Sequence, residues 1–393
     1  MNARILHTDV QDYIRSHDES DLYGILLHES PFSGIDVKEL AEQIASREKA
    51  RKKLPNWFGT TGIYYPNKRN LEQSSSEPTA DYKAKLVRAN RVTDLTGGFG
   101  VDAYYFSKYA SEVVYWETDA ELAAMAAYNF RQMRATHIRC HCGDGLAHLN
   151  PDTGKTDLLY LDPSRRDKAR NRVFLLSDCI PDVPGNLTVL LDSANYILLK
   201  TAPLLDLSAG LRELNHVREI HVVALQNEVK EVLWLLESGY EGEVSVTACN
   251  LKSGNLPELF TFLLAAEKRQ AVSYSEPLVY LYEPNASIMK SGGFKSLGQQ
   301  YGLPKLHEHS HLYTSEKLVS FPGRTFHIKN IVPYSRKMIK ERRIGKANVS
   351  TRNFPESVTA IRKKFKIADG GSVYLFFTTS RRKGLIMIEC EKN

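Results

Sequence analysis

No apolar run in the sequence approaches the roughly 18 residues that a membrane span needs. The opening residues, MNARILHTDVQDYIRSHDESD, are charged and have no apolar core of the kind a secretory signal carries. A cytoplasmic protein with no membrane partner is therefore expected. Cysteine is scarce: Cys140, Cys142, Cys179, Cys249 and Cys390 are odd in number and widely scattered, which argues against a disulfide framework and for a reducing compartment. Metal ligands are wanting too. HEHSH at His307 to His311 has no completing partners, and Cys140 and Cys142 alternate as strand residues do, so no metal is assigned. Neither charge sign dominates, since 52 Lys and Arg face 46 Asp and Glu, a net +6 that permits a polyanionic partner without requiring one. Internal repeats and low-complexity tracts are absent.

What is present is a change of pattern along the 393 residues, a length that calls for two or three domains because single cores rarely grow past about 250–300 residues. Residues 1–88 read as an N-terminal helical domain: in DVKELAEQIASREKARKKLPNW, Leu40, Ile44 and Leu54 recur at helical spacing and Pro55 ends the pattern. Residues 89–270 alternate short apolar runs with helical stretches, as a parallel sheet with crossover helices does. The strand candidates are RVTDL, EVVYWE, HIRCHCGD, DLLYLD, NYILLKT, REIHVVAL, EVSVTACN and LFTFLL, with helices at DAELAAMAAYNFRQMRA and EVKEVLWLLES. Only KSGNLP separates the last two strands, so they should form an antiparallel hairpin at a sheet edge. The fold class is α/β, a Rossmann-like mixed sheet of seven or so strands. Two small α+β domains should follow: residues 271–324, ferredoxin-like, and residues 325–393, a basic domain containing TFHIKNIVPYS, SVYLFFTTS and GLIMIECEK.

VTDLTGGFGVDAYYF places Asp94, Thr96, Gly97, Gly98 and Gly100 between the first strand of this sheet and its next helix. Glycines there let the backbone turn tightly and approach a ligand that a Cβ would exclude. By itself the loop is as well explained as a tight turn, and Gly98-x-Gly100-x-x-Ala103 also satisfies a dinucleotide fingerprint. The later strand ends discriminate. Glu117, Asp144 and Asp162 stand at the ends of the second, third and fourth strands, and such ends face one crevice in an open α/β sheet. Acidic groups after successive strands suit a cationic ligand bearing an adenosine and suit a pyrophosphate poorly.

On these motifs the stretch from Leu71 to Glu267 resembles the class I S-adenosylmethionine-dependent methyltransferases. The resemblance implies that the Asp94–Gly100 loop wraps the methionine part of the cofactor, that Glu117 holds the ribose hydroxyls and that Asp144 accepts from the adenine amine. It also implies that LEQSSSEPTADYKAKLV folds over the methionine carboxylate, which makes Gln73 and Ser75 candidates; as residues alone they read equally well as a helix cap. LEQSSSE, DLTGGFGVD, LDPSRR and GKANVSTRNFPESVTAIRKKFK together resemble a bacterial family of methyltransferase-like proteins with a THUMP-like C-terminal domain, a domain of RNA-modifying enzymes.

LDPSRR carries the proposed chemistry. In amino-methyltransferases of this class the fourth strand ends in Asp/Asn-Pro-Pro-aromatic; here Asp162 and Pro163 match, Ser164 replaces the second proline and Arg165 replaces the aromatic. Asp162 would orient the acceptor, and Arg165 could stack on a base or grip a phosphate. The fragment also resembles the Asp-Pro-Pro-Arg motif of uridine C5-methyltransferases, but their cysteine position reads LLKTAP, with Thr201, a poor nucleophile without strong activation. As residues alone, Asp162 and Pro163 could cap a helix. Arg166 and Arg170 beside them, and Arg336, Lys337, Lys340, Arg342, Arg343, Lys346 and Arg352 in SRKMIKERRIGKANVSTRNFPESVTAIRKKFK, are candidate RNA contacts. The expectation is an S-adenosylmethionine-dependent methyltransferase acting on structured RNA, tRNA or rRNA. The alternatives are a catalytically silent RNA-binding protein that keeps the fold and a methyltransferase for a non-RNA substrate.

Overall fold

The computed structural model describes residues 1–149, 154–165 and 175–392. The chain forms two compact units, Met1–Arg218 with Glu231–Glu241, and Glu219–Lys230 with Gly242–Asn393. Among the described residues no helix is long and apolar enough to cross a membrane.

The first unit opens with helices α1 (Thr8–Ser16), α2 (Leu22–Leu26), α3 (Val37–Lys53), α4 (Pro55–Gly59), α5 (Lys68–Gln73) and α6 (Glu77–Leu86). Asp36 starts α3 by accepting from the Lys38 N–H at 2.7 Å. Leu40, Ile44 and Leu54 are fully buried, as their spacing predicts. Pro55 both closes that helix and opens the next, at a position where its missing N–H costs nothing.

The strands of this unit are β1 (Arg91–Asp94), β2 (Glu112–Glu117), β3 (Ile138–Cys142), β4 (Thr156–Leu161) and β5 (Ala194–Thr201), then β6 (Val217–Leu225) and β7 (Glu228–Glu237), which run across the boundary between the units. Helix α7 (Val101–Phe106) follows β1 and α8 (Ala120–Gln132) follows β2. The spatial order is β7-β5-β4-β1-β2-β3, parallel except for β7, which pairs antiparallel with β5. A parallel sheet sends the C-terminal ends of its strands to one edge, where the acidic residues lie.

One expected helix is a strand. EVKEVLWLLES has apolar residues at helical spacing, yet Glu228–Glu237 is β7, with Val232 to Leu236 buried without a break. An inner strand covered on both faces shows an apolar run instead of alternation, and that run also satisfies a helical template.

In the second unit β6 pairs in parallel with β8 (Ser245–Leu251), which pairs antiparallel with β9 (Glu258–Leu263), the expected hairpin at a sheet edge. The rest of this unit combines short helices with a six-stranded sheet of β10 (Tyr280–Pro284), β11 (Tyr313–Ser315), β12 (Gly323–Pro333), β13 (Lys346–Arg352), β14 (Ala368–Ser380) and β15 (Gly384–Lys392), in the order β11-β10-β12-β15-β14-β13. Leu281, Phe326, Phe376 and Ile388 pack on one face and Ile339, Ile361, Leu375 and Phe377 contribute to a second cluster. The expected α/β class, with small α+β elements at the C-terminus, is borne out.

Candidate active site and cofactor crevice

The loop after β1 is fastened through Thr96. Thr96 N–H donates to Asp94 Oδ1 at 3.0 Å, and the Thr96 hydroxyl accepts from the Asp162 N–H at 2.6 Å, which fastens the glycine turn to the end of β4. A Cβ at Gly97 would lie 2.0 Å from the Tyr115 ring, and one at Gly100, where φ is +89°, would lie 2.5 Å from Phe130. No larger residue fits either place without moving an aromatic ring. Asp94 is fully buried and its Oδ2 has no hydrogen-bond partner among the described residues. Burial, with the Asp102, Asp162 and Glu117 carboxylates nearby, pushes its pKa well above the ordinary range.

Glu117, at the end of β2, accepts from the Gly98 N–H at 2.7 Å and from the Asp119 N–H at 2.8 Å, so the second strand end is tied to the same turn. Asp144, exposed beyond β3, accepts from the Leu146 N–H at 3.0 Å. Next to Glu117, Trp116 stacks on His141 of β3 and on His148, with ring centroids 4.5 and 4.3 Å away. Cys140 and Cys142 are strand residues flanking His141, and among the described residues no group of His, Cys, Asp and Glu could hold a metal ion.

At the end of β4 the structure adds something the sequence did not announce. The register pairs Leu161 with Leu199, which sets Asp162 beside Lys200 of β5, and the Lys200 ammonium bonds Asp162 Oδ2. Behind this pair lies a buried charge cluster drawn from distant parts of the chain. Lys83 of α6, fully buried, donates to both Glu231 carboxylate oxygens at 2.9 Å and to the Ser75 hydroxyl at 3.0 Å, and stands 3.2 Å from Asp102. Asp102 Oδ2 accepts from Ser75 and from the Tyr160 hydroxyl, each at 2.8 Å. Lys83 and Lys200 hold the Asp102 pKa below its ordinary value against the opposing effect of burial, whereas burial leaves Glu231 raised despite both ammoniums.

Of the remaining candidates, Ser75 therefore serves this cluster, and Gln73 is exposed at the end of α5. Pro163 is half-buried and Ser164 is exposed; Ser164 and Arg165 form a short antiparallel ladder with Ile180 and Cys179. The Arg165 side chain, and Arg166 and Arg170 entirely, lie outside the described residues. Thr201 is spent on structure, accepting from the Trp234 indole N–H at 3.0 Å and facing the Val232 carbonyl at 3.3 Å.

In the second unit Arg336, Lys337, Lys340, Arg343 and Lys346 are exposed, and none forms an ion pair among the described residues. Two candidates are engaged instead: Arg342 pairs with Glu389 at 2.8 Å, and Arg352 with the buried Glu283 at 2.7 Å. Lys340, Arg343 and Lys366 rim a cleft of about 220 Å³ whose floor includes Ile339, Phe365 and Leu375. Cations over an apolar floor are chemically suited to a phosphate with an attached base or sugar.

The large, mostly parallel sheet is that of the methyltransferase fold. Residues 280–322 match a ferredoxin-like domain family, and residues 323–392 match a THUMP domain-like family. The solved structure of a "putative methyltransferase" from Porphyromonas gingivalis W83 is 34% identical, covers 100% of this chain and 98% of that one, and superposes with a TM-score of 0.90. The chain belongs to the same family as that protein, one of methyltransferase-like proteins with a THUMP-like C-terminal domain. Weaker likenesses are to a "putative RNA methyltransferase" from Pyrococcus horikoshii (15% identity, 40% of this chain and 71% of that one, TM-score 0.26) and a methyltransferase from Geobacter sulfurreducens (16%, 41% and 77%, 0.30). No curated protein matches the sequence.

Proposed function

We propose that the protein is an S-adenosylmethionine-dependent methyltransferase that acts on structured RNA in the cytoplasm. The observation that carries this reading is Asp94: a buried carboxyl oxygen without a partner among the described residues, beside a turn where Gly97 and Gly100 leave no room for a Cβ, suits a cationic ligand. S-adenosylmethionine brings an ammonium and a sulfonium, and it supplies a methyl group activated by the sulfonium.

In this reading Asp94 meets the ammonium, while Thr96, Gly97, Gly98 and Gly100 shape the backbone around the methionine part. Glu117 takes the ribose hydroxyls, for which its two engaged oxygens still have lone pairs, and exposed Asp144 accepts from the adenine amine. Gln73 is assigned to the methionine carboxylate; Ser75 acts indirectly, by holding Asp102 and Lys83. Asp162, with the Pro163, Ser164 and Arg165 backbone, faces the acceptor. The exposed cations of the second unit, Lys340 and Arg343 foremost, hold RNA phosphates. Arg336, Lys337 and Lys346 extend that surface, and Arg166 and Arg170 add to it by sequence alone.

The test is incubation of the full-length protein with isotopically labelled S-adenosylmethionine and total RNA from cells lacking it, followed by nucleoside mass spectrometry. Labelled nucleosides that vanish with Asp162→Ala support the proposal. Cofactor binding without transfer to any RNA would favour the silent RNA-binding alternative, and transfer to protein or small molecules only would favour the non-RNA one.

A further inference from the structure

We propose that the acceptor in this crevice is an oxygen, the 2′-hydroxyl of an RNA ribose, and that Lys200 and Asp162 act on it as a pair. The inference rests on the reading of the chain as an RNA methyltransferase and names the atom that is methylated.

The strand register makes the pair. Asp162 follows the last residue of β4, Lys200 is the penultimate residue of β5, and parallel pairing of Leu161 with Leu199 brings their side chains together. The Asp162 side chain keeps 33% of its surface exposed and that of Lys200 keeps 12%, so both reach the crevice. The groups behind them are closed off: Lys83 is 0% exposed and Glu231 3%. Three carboxylates act on the Lys200 ammonium, Asp162 from β4, Asp102 from α7 and Glu231 from β7. Burial pushes Lys200 down, but these carboxylates outweigh it and hold the ammonium charged well above its ordinary range. Two ammoniums, Lys83 and Lys200, are thus interleaved with the Asp102, Glu231 and Asp162 carboxyls.

This arrangement is ill suited to an amine. An exocyclic amine presents N–H donors and needs acceptors, but the acceptor carboxylate here is already bonded by an ammonium, which brings further donors to the same place. A hydroxyl suits it on both counts, since its oxygen accepts from Lys200 Nζ while its own proton points to Asp162. Alcohols are weak nucleophiles until that proton is drawn off, and a neighbouring ammonium and carboxylate supply the need. The Asp162-Pro163-Ser164-Arg165 sequence fits as well. It lacks the aromatic platform on which a flipped base would stack, and a ribose hydroxyl lies on the backbone, where no base has to be flipped.

In the step itself a lone pair of the hydroxyl oxygen forms the O–C bond to the methyl group, and the C–S bond breaks with its pair left on sulfur. The sulfonium becomes a neutral thioether, and the hydroxyl proton passes to the Asp162 carboxylate. Lys200 stays an ammonium throughout and stabilises the negative charge that builds on the oxygen.

Alkaline hydrolysis of RNA methylated by the full-length protein reads the outcome directly. A ribose 2′-O-methyl blocks cleavage, so the label should appear in alkali-resistant dinucleotides. Label in mononucleotides would place the methyl on a base and overturn this inference while leaving RNA methylation intact; no label in any RNA would overturn both. Lys200→Gln should lower transfer by about 100-fold or more while calorimetric binding of S-adenosylmethionine persists and circular dichroism shows a folded protein. Lys200→Arg should recover part of the loss. Native transfer rates in Lys200→Gln, or loss of cofactor binding in step with transfer, would refute the role given to Lys200.

Discussion

Replacing Lys83 by methionine removes an ammonium that is 0% exposed while keeping a side chain of similar length and volume. Two bonds of 2.9 Å to Glu231, one of 3.0 Å to Ser75 and the 3.2 Å approach to Asp102 are lost together. Breaking a buried pair by removing one partner typically costs about 3–5 kcal/mol, because the remaining charge is left without compensation. Glu231, whose pKa burial already raises, limits the loss by taking up a proton. The double variant Lys83→Met/Glu231→Gln removes both members, so it should be more stable than the sum of the single losses, by about 1–3 kcal/mol. Urea unfolding of the full chain followed by circular dichroism measures each term. A loss below about 1 kcal/mol for Lys83→Met, within the range of an exposed pair, or strict additivity in the double variant, would refute the reading of a buried, mutually dependent cluster.

Asp94 makes a pH prediction. Its folded pKa is raised above the ordinary 3.8, so above about pH 4 the folded state binds more protons than the unfolded one, and stability falls as pH rises, by up to about 1.4 kcal/mol per unit. Asp94→Asn should flatten that dependence and weaken S-adenosylmethionine binding; an unchanged slope in urea unfolding as the pH rises from about 4 would contradict the burial argument. Gly97→Ala puts a Cβ 2.0 Å from the Tyr115 ring and should cost about 1–3 kcal/mol, so an unaltered unfolding midpoint would show that the turn is not closely packed. Lys340→Ala/Arg343→Ala should reduce the slope of log affinity for RNA against log salt by about 1.5, and an unchanged slope would move the phosphate contacts elsewhere.

What could be read from the sequence was what local pattern encodes. β2 and β15 coincide with EVVYWE and GLIMIECEK, and α8 with most of DAELAAMAAYNFRQMRA, because strand alternation and helical spacing are short-range signals. Asp94, Glu117 and Asp162 could be placed in one crevice because strand ends of a parallel sheet converge. The strand at Glu228–Glu237 was missed because its buried run satisfies a helical period. The cluster of Lys83, Asp102, Lys200 and Glu231 was missed for a different reason: Lys83 and Glu231 are 148 residues apart, and nothing local marks a lysine that will meet a glutamate at that distance. The ion pairs of Arg342 with Glu389 and of Arg352 with Glu283 are likewise formed only through the sheet, and nothing local marks them.

Isothermal titration of the purified full-length protein with S-adenosylmethionine tests the central claim most directly. One equivalent should bind, more weakly in Asp94→Asn. Failure to bind, with binding retained for a nicotinamide dinucleotide, would contradict the account.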